Sequence, residues 1–145
     1  MGYHRMSDDE VRAFLTAEPA RPAILATTRA DGRPHVAPIW YAVDDDSSIV
    51  FTTGESTVKG RNLRRTGQAA MTVQDDAAPY SFVTLEGAVT ISEELADVRR
   101  WAGVIGGRYM GDERAEEYGA RNGVPGELLV RLTPTKVISA RDVAD

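Results

Sequence analysis

The chain contains no cysteine, and its only histidines are His4 and His35. Those absences exclude disulfides, thiol nucleophiles and iron–sulfur clusters, and leave too few ligands for the usual zinc sets. Long hydrophobic runs are missing as well. No stretch approaches the ~20 apolar residues that a bilayer-spanning helix needs, and Met1 to Met6 lacks the apolar core of a secretory signal. The expected compartment is therefore the cytosol, with no membrane partner. Positive charge is in the minority, 17 Lys and Arg against 22 Asp and Glu for a formal charge of −5. A nucleic-acid-binding domain ordinarily shows a broad basic face, so no nucleic-acid partner is expected. Repeats, linkers and low-complexity segments are also lacking, and the 145 residues read as one domain, 1–145, around one core.

What is present is a series of short strands separated by turn signals. Ser7-Asp8-Asp9-Glu10 has the form of a capping box, followed by Val11, Phe14 and Leu15 at helical spacing. Ala23 to Thr28 reads as a strand, Asp31-Gly32 as a hairpin turn, and Pro34 to Val43 as the returning strand. Pro34 and Pro38 cannot donate to a ladder, which places an edge or a bulge there. Asp44 to Ser47 turns the chain into a strand over Ile49 to Thr53, and Ala69-Met71-Val73 marks another. From Tyr80 to Ile91 the period is two: Val83, Leu85, Val89 and Ile91 share one face, Tyr80, Phe82, Thr84 and Glu86 the other. Ser92 is placed to cap a helix carrying Leu95, Val98, Trp101, Ala102 and Ile105, interrupted at Gly106-Gly107, with a second short helix over Asp112 to Ala120. Leu128 to Leu132 and Lys136 to Ser139 close the chain as strands around Pro134. Hairpin-linked strands with helices inserted late predict a small antiparallel barrel rather than a parallel α/β sheet.

One segment stands against the acidic background: Ser56-Thr57-Val58-Lys59-Gly60-Arg61-Asn62-Leu63-Arg64-Arg65, a short basic helix directly after the Ile49–Thr53 strand and ending at Gly67. The first amides of a helix lack partners and carry partial positive charge, so four cations gathered there suggest a phosphate site. On a helical wheel Arg61, Arg64 and Arg65 fall within about 100° of one another, as a solvated face would, whereas Lys59 falls on the side of the anchoring Leu63. A lysine there either snorkels to water or meets an anion. Tyr80 and Phe82 suit stacking on a planar ligand or, more commonly, packing at a subunit interface. Val36 to Ala42 is bulky and apolar on both faces, so a partner subunit or a ligand is expected to cover the second. His35 has no neighbouring carboxylate to orient it and reads as an exposed loop residue.

On Ala26 to Val36, Pro38-Ile39-Trp40-Tyr41, Lys59 to Arg65 and Leu85-Glu86-Gly87, in that order and spacing, the chain resembles the pyridoxamine 5'-phosphate oxidase-like superfamily of split β-barrel flavoproteins. Within it, the likeness is to the actinobacterial flavin/deazaflavin oxidoreductases of the B group. The resemblance covers about Val11 to Ala140. It implies a mainly β, Greek-key-like split barrel of the FMN-binding type with a few peripheral helices, and a homodimer with cofactor clefts between subunits. By the same resemblance Lys59, Arg61 and Asn62 hold the phosphate, with Thr52 and Thr53 at the strand end beneath it. Pro38, Ile39 and Trp40 lie along the ring, and Tyr80 and Phe82 reach the cofactor. Thr57 stands where the family often has another basic residue. The resemblance leaves FMN and the deazaflavin coenzyme F420 open; the Arg61 to Arg65 run favours F420, whose phosphate and oligoglutamate tail are acidic. The implied activity is hydride transfer to a small organic acceptor. It needs no catalytic side chain and no metal, because the cofactor supplies the reactive carbon, and a proton can come from solvent, Tyr41 or Tyr80. A non-catalytic carrier or haem-binding role is the alternative from a different class.

Overall fold

The computed structural model describes residues 4–145. Helix α1 (Asp8–Leu15) opens with the capping box: the Ser7 hydroxyl accepts from the Glu10 amide at 3.1 Å, and the Glu10 carboxylate accepts from the Ser7 amide at 3.0 Å. Strands β1 (Ala23–Thr28) and β2 (Pro34–Ile39) pair antiparallel from Ala23–Ile39 to Thr28–Pro34. The turn between them uses Gly32 at φ 87°, with the Asp31 carboxylate accepting from the Arg33 amide at 3.1 Å. Next come β3 (Ala42–Val43), β4 (Ile49–Gly54), α2 (Val58–Thr66), β5 (Gln68–Asp75) and β6 (Ser81–Ser92). The chain finishes with α3 (Leu95–Met110), one 3₁₀ turn at Asp112–Arg114, α4 (Ala115–Asn122) and β7 (Glu127–Ala140).

The seven strands form one antiparallel sheet in the order β2-β1-β5-β6-β7-β4-β3. Its two edges, β2 and β3, are consecutive in the chain and separated only by Trp40 and Tyr41. So short a connection between opposite edges requires the sheet to curl until they approach, which makes it a barrel with an unpaired seam. The expected antiparallel, mainly β barrel with peripheral helices is the architecture seen. The single strand expected over Pro34 to Val43 is instead two strands on either side of the seam. Pro34 and Pro38 sit on the edge strand β2, where the missing amide donors break no ladder.

The barrel interior is packed by Leu25, Ile39, Tyr41, Phe51, Leu63, Met71, Val83, Leu85, Val130 and Leu132, all buried. A smaller cluster of Ala42, Val50, Val98, Trp101, Ile105 and Leu129 fixes α3 against the outside of β3, β4 and β7. The helix expected to break at Gly106-Gly107 runs unbroken to Met110, and its N-cap is Glu94 rather than Ser92. Those glycines serve contact instead: a Cβ on Gly106 would fall 2.2 Å from the Cβ of Tyr118 on α4. β7 is likewise one continuous strand, and Pro134 is absorbed by a register shift between Glu86 and Gly87. Among the described residues no helix is long and apolar enough to cross a membrane.

Gly87 makes the irregularity opposite Pro134 sterically feasible, because a Cβ there would lie 2.0 Å from the Thr133 carbonyl oxygen. Gly87→Ala is expected to lower the unfolding free energy by about 3 kcal/mol, as overpacking against backbone does. Gly32→Ala, with nothing within 4 Å of the new methyl but φ at 87°, should cost only about 1 kcal/mol. Denaturant midpoints of the two variants check the contrast.

Candidate functional site

The seam is where the candidate site lies. Trp40 is 39% exposed, yet it is not loose. Its indole stacks on Tyr109 of α3 with ring centroids 5.0 Å apart and planes 3° from parallel, and it meets Tyr118 of α4 at 5.9 Å. The apolar second face expected to need a partner or a ligand stays exposed at Val36, Pro38 and Trp40, with only the indole resting in part on the chain's own helices. Tyr41 turns the other way, fully buried, with its hydroxyl donating to the Leu15 carbonyl at 2.7 Å. Arg108 lies over the Tyr41 ring at 4.5 Å and donates to the Tyr41 and Leu15 carbonyls at 2.6 and 2.7 Å. Tyr109 donates to the Arg21 carbonyl at 2.7 Å. Burial pushes the Tyr109 phenol up to about 12. Burial raises Tyr41 as well, partly offset by Arg108. With its proton committed to a backbone carbonyl in the core, Tyr41 does not serve as the proton source considered above.

A cavity of about 380 Å³ opens beside Trp40. β2 gives it Pro38 and Ile39, α3 gives Ala102, Ile105 and Gly106, and its polar end is made by Thr52, Lys59, Asn122 and Glu127. Thr52 arrives there because alternation along β4 turns Thr53 inward. Lys59 arrives because α2 starts immediately beyond the end of β4, with Leu63 anchored in the core. The tight turn between the two depends on Gly60, where a Cβ would sit 2.2 Å from the Gly54 carbonyl oxygen.

Of the residues proposed from sequence, Pro38, Ile39, Trp40, Thr52 and Lys59 therefore converge on one cavity. The others are placed elsewhere. Thr53 is 3% exposed and its hydroxyl meets that of Thr57 at 3.3 Å. Thr57 is the N-cap of α2, accepting from the Gly60 amide at 3.0 Å and donating to the Gly54 carbonyl at 2.8 Å, so it holds the helix start rather than presenting a cation. Asn62 is 3% exposed, its amide nitrogen donating to the Thr27 hydroxyl at 3.1 Å and its oxygen accepting from Arg65 at 3.1 Å. Arg65 also donates to the Thr28 carbonyl, and Arg64 pairs with Glu93 at 2.9 Å. Both arginines are exposed, as a solvated face requires, and each is also tied to a neighbouring segment. Arg61 is exposed and makes no ion pair among the described residues. Tyr80 lies outside β6 in a left-handed conformation at φ 65°, and Phe82 lies half-buried on the outer sheet face; neither lines the cavity.

Sequence reasoning missed Glu127. It opens β7 opposite Gly54 and lines the cavity with Lys59, although the two charges are not in ion-pair contact. Burial raises its carboxyl above the ordinary range, while the Thr52 hydroxyl and the Lys59 ammonium pull it back. The only signal in the chain was an acidic residue after the Pro125-Gly126 turn. Its meeting with Lys59 depends on a strand pairing between distant segments.

Comparison with known proteins matches residues 7–140 to the family model described as "Pyridoxamine 5'-phosphate oxidase". An F420H(2)-dependent biliverdin reductase of Mycobacterium tuberculosis (strain CDC 1551 / Oshkosh) is 31% identical over 143 residues, covering 97% of this chain and 93% of that protein. The crystal structure of the conserved hypothetical protein Rv2991 from Mycobacterium tuberculosis superposes with a TM-score of 0.83 at 28% identity, covering 98% of this chain and 89% of that one. A structure described as an F420 reductase gives a TM-score of 0.68 at 25% identity, covering 87% and 94% of the two chains.

The placement of Asn62 separates a ligand from a strut. Asn62→Ala leaves the Thr27 hydroxyl and Arg65 without a buried partner, so stability should fall by about 1–3 kcal/mol. Cofactor affinity measured well below the unfolding transition should change little, and a large affinity loss at full stability would make Asn62 a ligand.

Proposed function

The chain belongs to the pyridoxamine 5'-phosphate oxidase family, and on that basis we propose that it is an oxidoreductase using coenzyme F420 to pass a hydride to a small conjugated organic acceptor. The observation that carries this reading is the union, in one cavity, of an immobilised aromatic and apolar wall at Trp40, Pro38 and Ile39 with a cationic end at Lys59. Such a cavity suits a planar ring that bears an acidic tail. Supporting F420 over FMN are two relatives whose names tie them to F420; Arg61, exposed and without an ion pair among the described residues, adds positive charge to the surface of α2 away from the cavity.

Reduced F420 supplies the hydride from its own ring when bound. The protein's part is positioning. Trp40 is fixed by Tyr109 before any ligand arrives, so little ordering remains to be done on binding. Pro38, Ile39, Ala102 and Ile105 exclude water from the apolar end. Lys59, at the foot of α2, holds the anionic end against the helix start. The acceptor is proposed as conjugated because one relative reduces biliverdin, which makes a linear tetrapyrrole the first compound to try.

A homodimer is part of the proposal. Across β1, β5, β6 and β7 the register aligns Ile24, Thr72, Thr84 and Ile138 in an uncharged row on the outer sheet face, with Ile24 41% and Ile138 40% exposed. Val36, 64% exposed, flanks it. Short β-branched side chains make a flat surface that a second copy can match by symmetry. Pro38, paired with Ile24, belongs both to this row and to the cavity wall, so the two functions share an edge.

Titrating the purified protein with F420 and FMN tests the cofactor. Tighter F420 binding, followed by oxidation of reduced F420 on adding an acceptor, is expected. Preference for FMN would reassign the protein to a flavin enzyme, and F420 binding without turnover across a broad acceptor panel would make it a carrier. Lys59→Ala should weaken cofactor binding by about 1.5–3 kcal/mol, the worth of a charge-assisted contact. Thr84→Arg, which puts a charge in the centre of the outer row, should give a monomer in sedimentation and loosen cofactor binding.

A further inference from the structure

Glu127 has no part in the function described above, yet it shares the cavity's polar end with Lys59, and the two supply all of its formal charge. Its position is specific. Glu127 pairs with Gly54 in the β4–β7 ladder, and its Oε2 lies 3.9 Å from where a Cβ on Gly54 would be; the Thr57 methyl lies 3.4 Å from the same point. The carboxyl is thus at the place where β4 turns into α2, beside the N-cap and the lysine through which an anion would be held. An anion docked on Lys59 and an ionised Glu127 would face each other across a partly dehydrated space, where like charges repel far more than in water.

We propose that Glu127 makes anion binding at Lys59 proton-linked: the carboxyl takes up a proton from solvent as the anion docks, and ionised Glu127 disfavours the anion. The proposal rests on the reading of Lys59 as the anion-holding residue. Among the described residues the rest of the cavity lining is uncharged. β2 and α3 face the cavity with uncharged groups only, and α4 contributes Asn122. Glu55, across the strand ends, is engaged by Arg64 at 3.8 Å. Burial raises the Glu127 carboxyl above its ordinary range, the same direction in which a docked anion would move it. The consequence is a site that binds its acidic ligand less well as pH rises and that sheds it more readily from the ionised state.

The test uses inorganic sulfate, whose charge is constant through the neutral range, followed by NMR on the full chain. In the wild type the Glu127 carboxyl carbon is titrated with and without saturating sulfate. The midpoint is expected to move upward with sulfate, and sulfate affinity to fall with pH by up to about tenfold per unit between the midpoints without and with sulfate. Glu127→Gln should flatten the pH dependence and tighten sulfate several-fold at the alkaline end, an affinity gain that loss of a merely structural residue would not give. If sulfate shifts the Lys59 resonances while the Glu127 midpoint stays put, or if Glu127→Gln keeps the wild-type slope, the role of Glu127 is overturned and the anion site stands. If Lys59→Ala leaves sulfate binding unchanged, the anion site itself is overturned.

Discussion

Closure of the sheet at the Trp40-Tyr41 step is the constraint on which the rest of the molecule depends. Two edge strands that do not pair with each other must still be brought together, and a two-residue connection does so only if its side chains are held firmly. Tyr41 goes into the barrel, where complete burial of so large a side chain contributes about 1.5–3 kcal/mol. Trp40 goes outward onto α3. Arg108 ties α3 to the seam and to the end of α1, with its guanidinium donating to the Tyr41 and Leu15 carbonyls while lying over the Tyr41 ring. The cavity exists because the edges approach without joining, and α3 and α4 roof the gap.

Within that cavity the charge arrangement is economical. Four cations cluster on or near α2, but two are spent on structure: Arg64 on Glu93, and Arg65 on Thr28 and Asn62. Ties of this kind orient the helix and leave Lys59 facing the cavity and Arg61 exposed without an ion pair among the described residues. Glu127 shares the cavity with Lys59 without an ion pair between them, which keeps the site from being a simple cation cluster.

The local elements were largely legible in the chain. The capping box before α1, the Asp31-Gly32 turn, the edge prolines and Gly67 as the left-handed cap of α2 all act through neighbours a few residues away. The side of α2 that carries Lys59 could be read from its spacing to Leu63, since one helix fixes that angle. Less legible were the break of the Pro34–Val43 segment, the uninterrupted course of α3 and the single span of β7. Each was decided by packing against a distant segment: the seam at Trp40-Tyr41, Tyr118 on Gly106, and Gly87 opposite Pro134.

The sequence by itself determined the type of fold and the side of α2 that carries Lys59, because period, turn chemistry and helical phase are properties of short stretches; Pro38, Ile39, Trp40 and Thr52 were implied by the family resemblance. Only the tertiary structure decided that Asn62, Thr53 and Tyr41 are buried struts, that Trp40 rests on Tyr109, and that Glu127 stands across from Lys59. Those outcomes depend on which remote strands pair and which helix roofs the seam. Burial, and with it the tuning of a carboxyl by its surroundings, belongs to the assembled chain rather than to any segment of it.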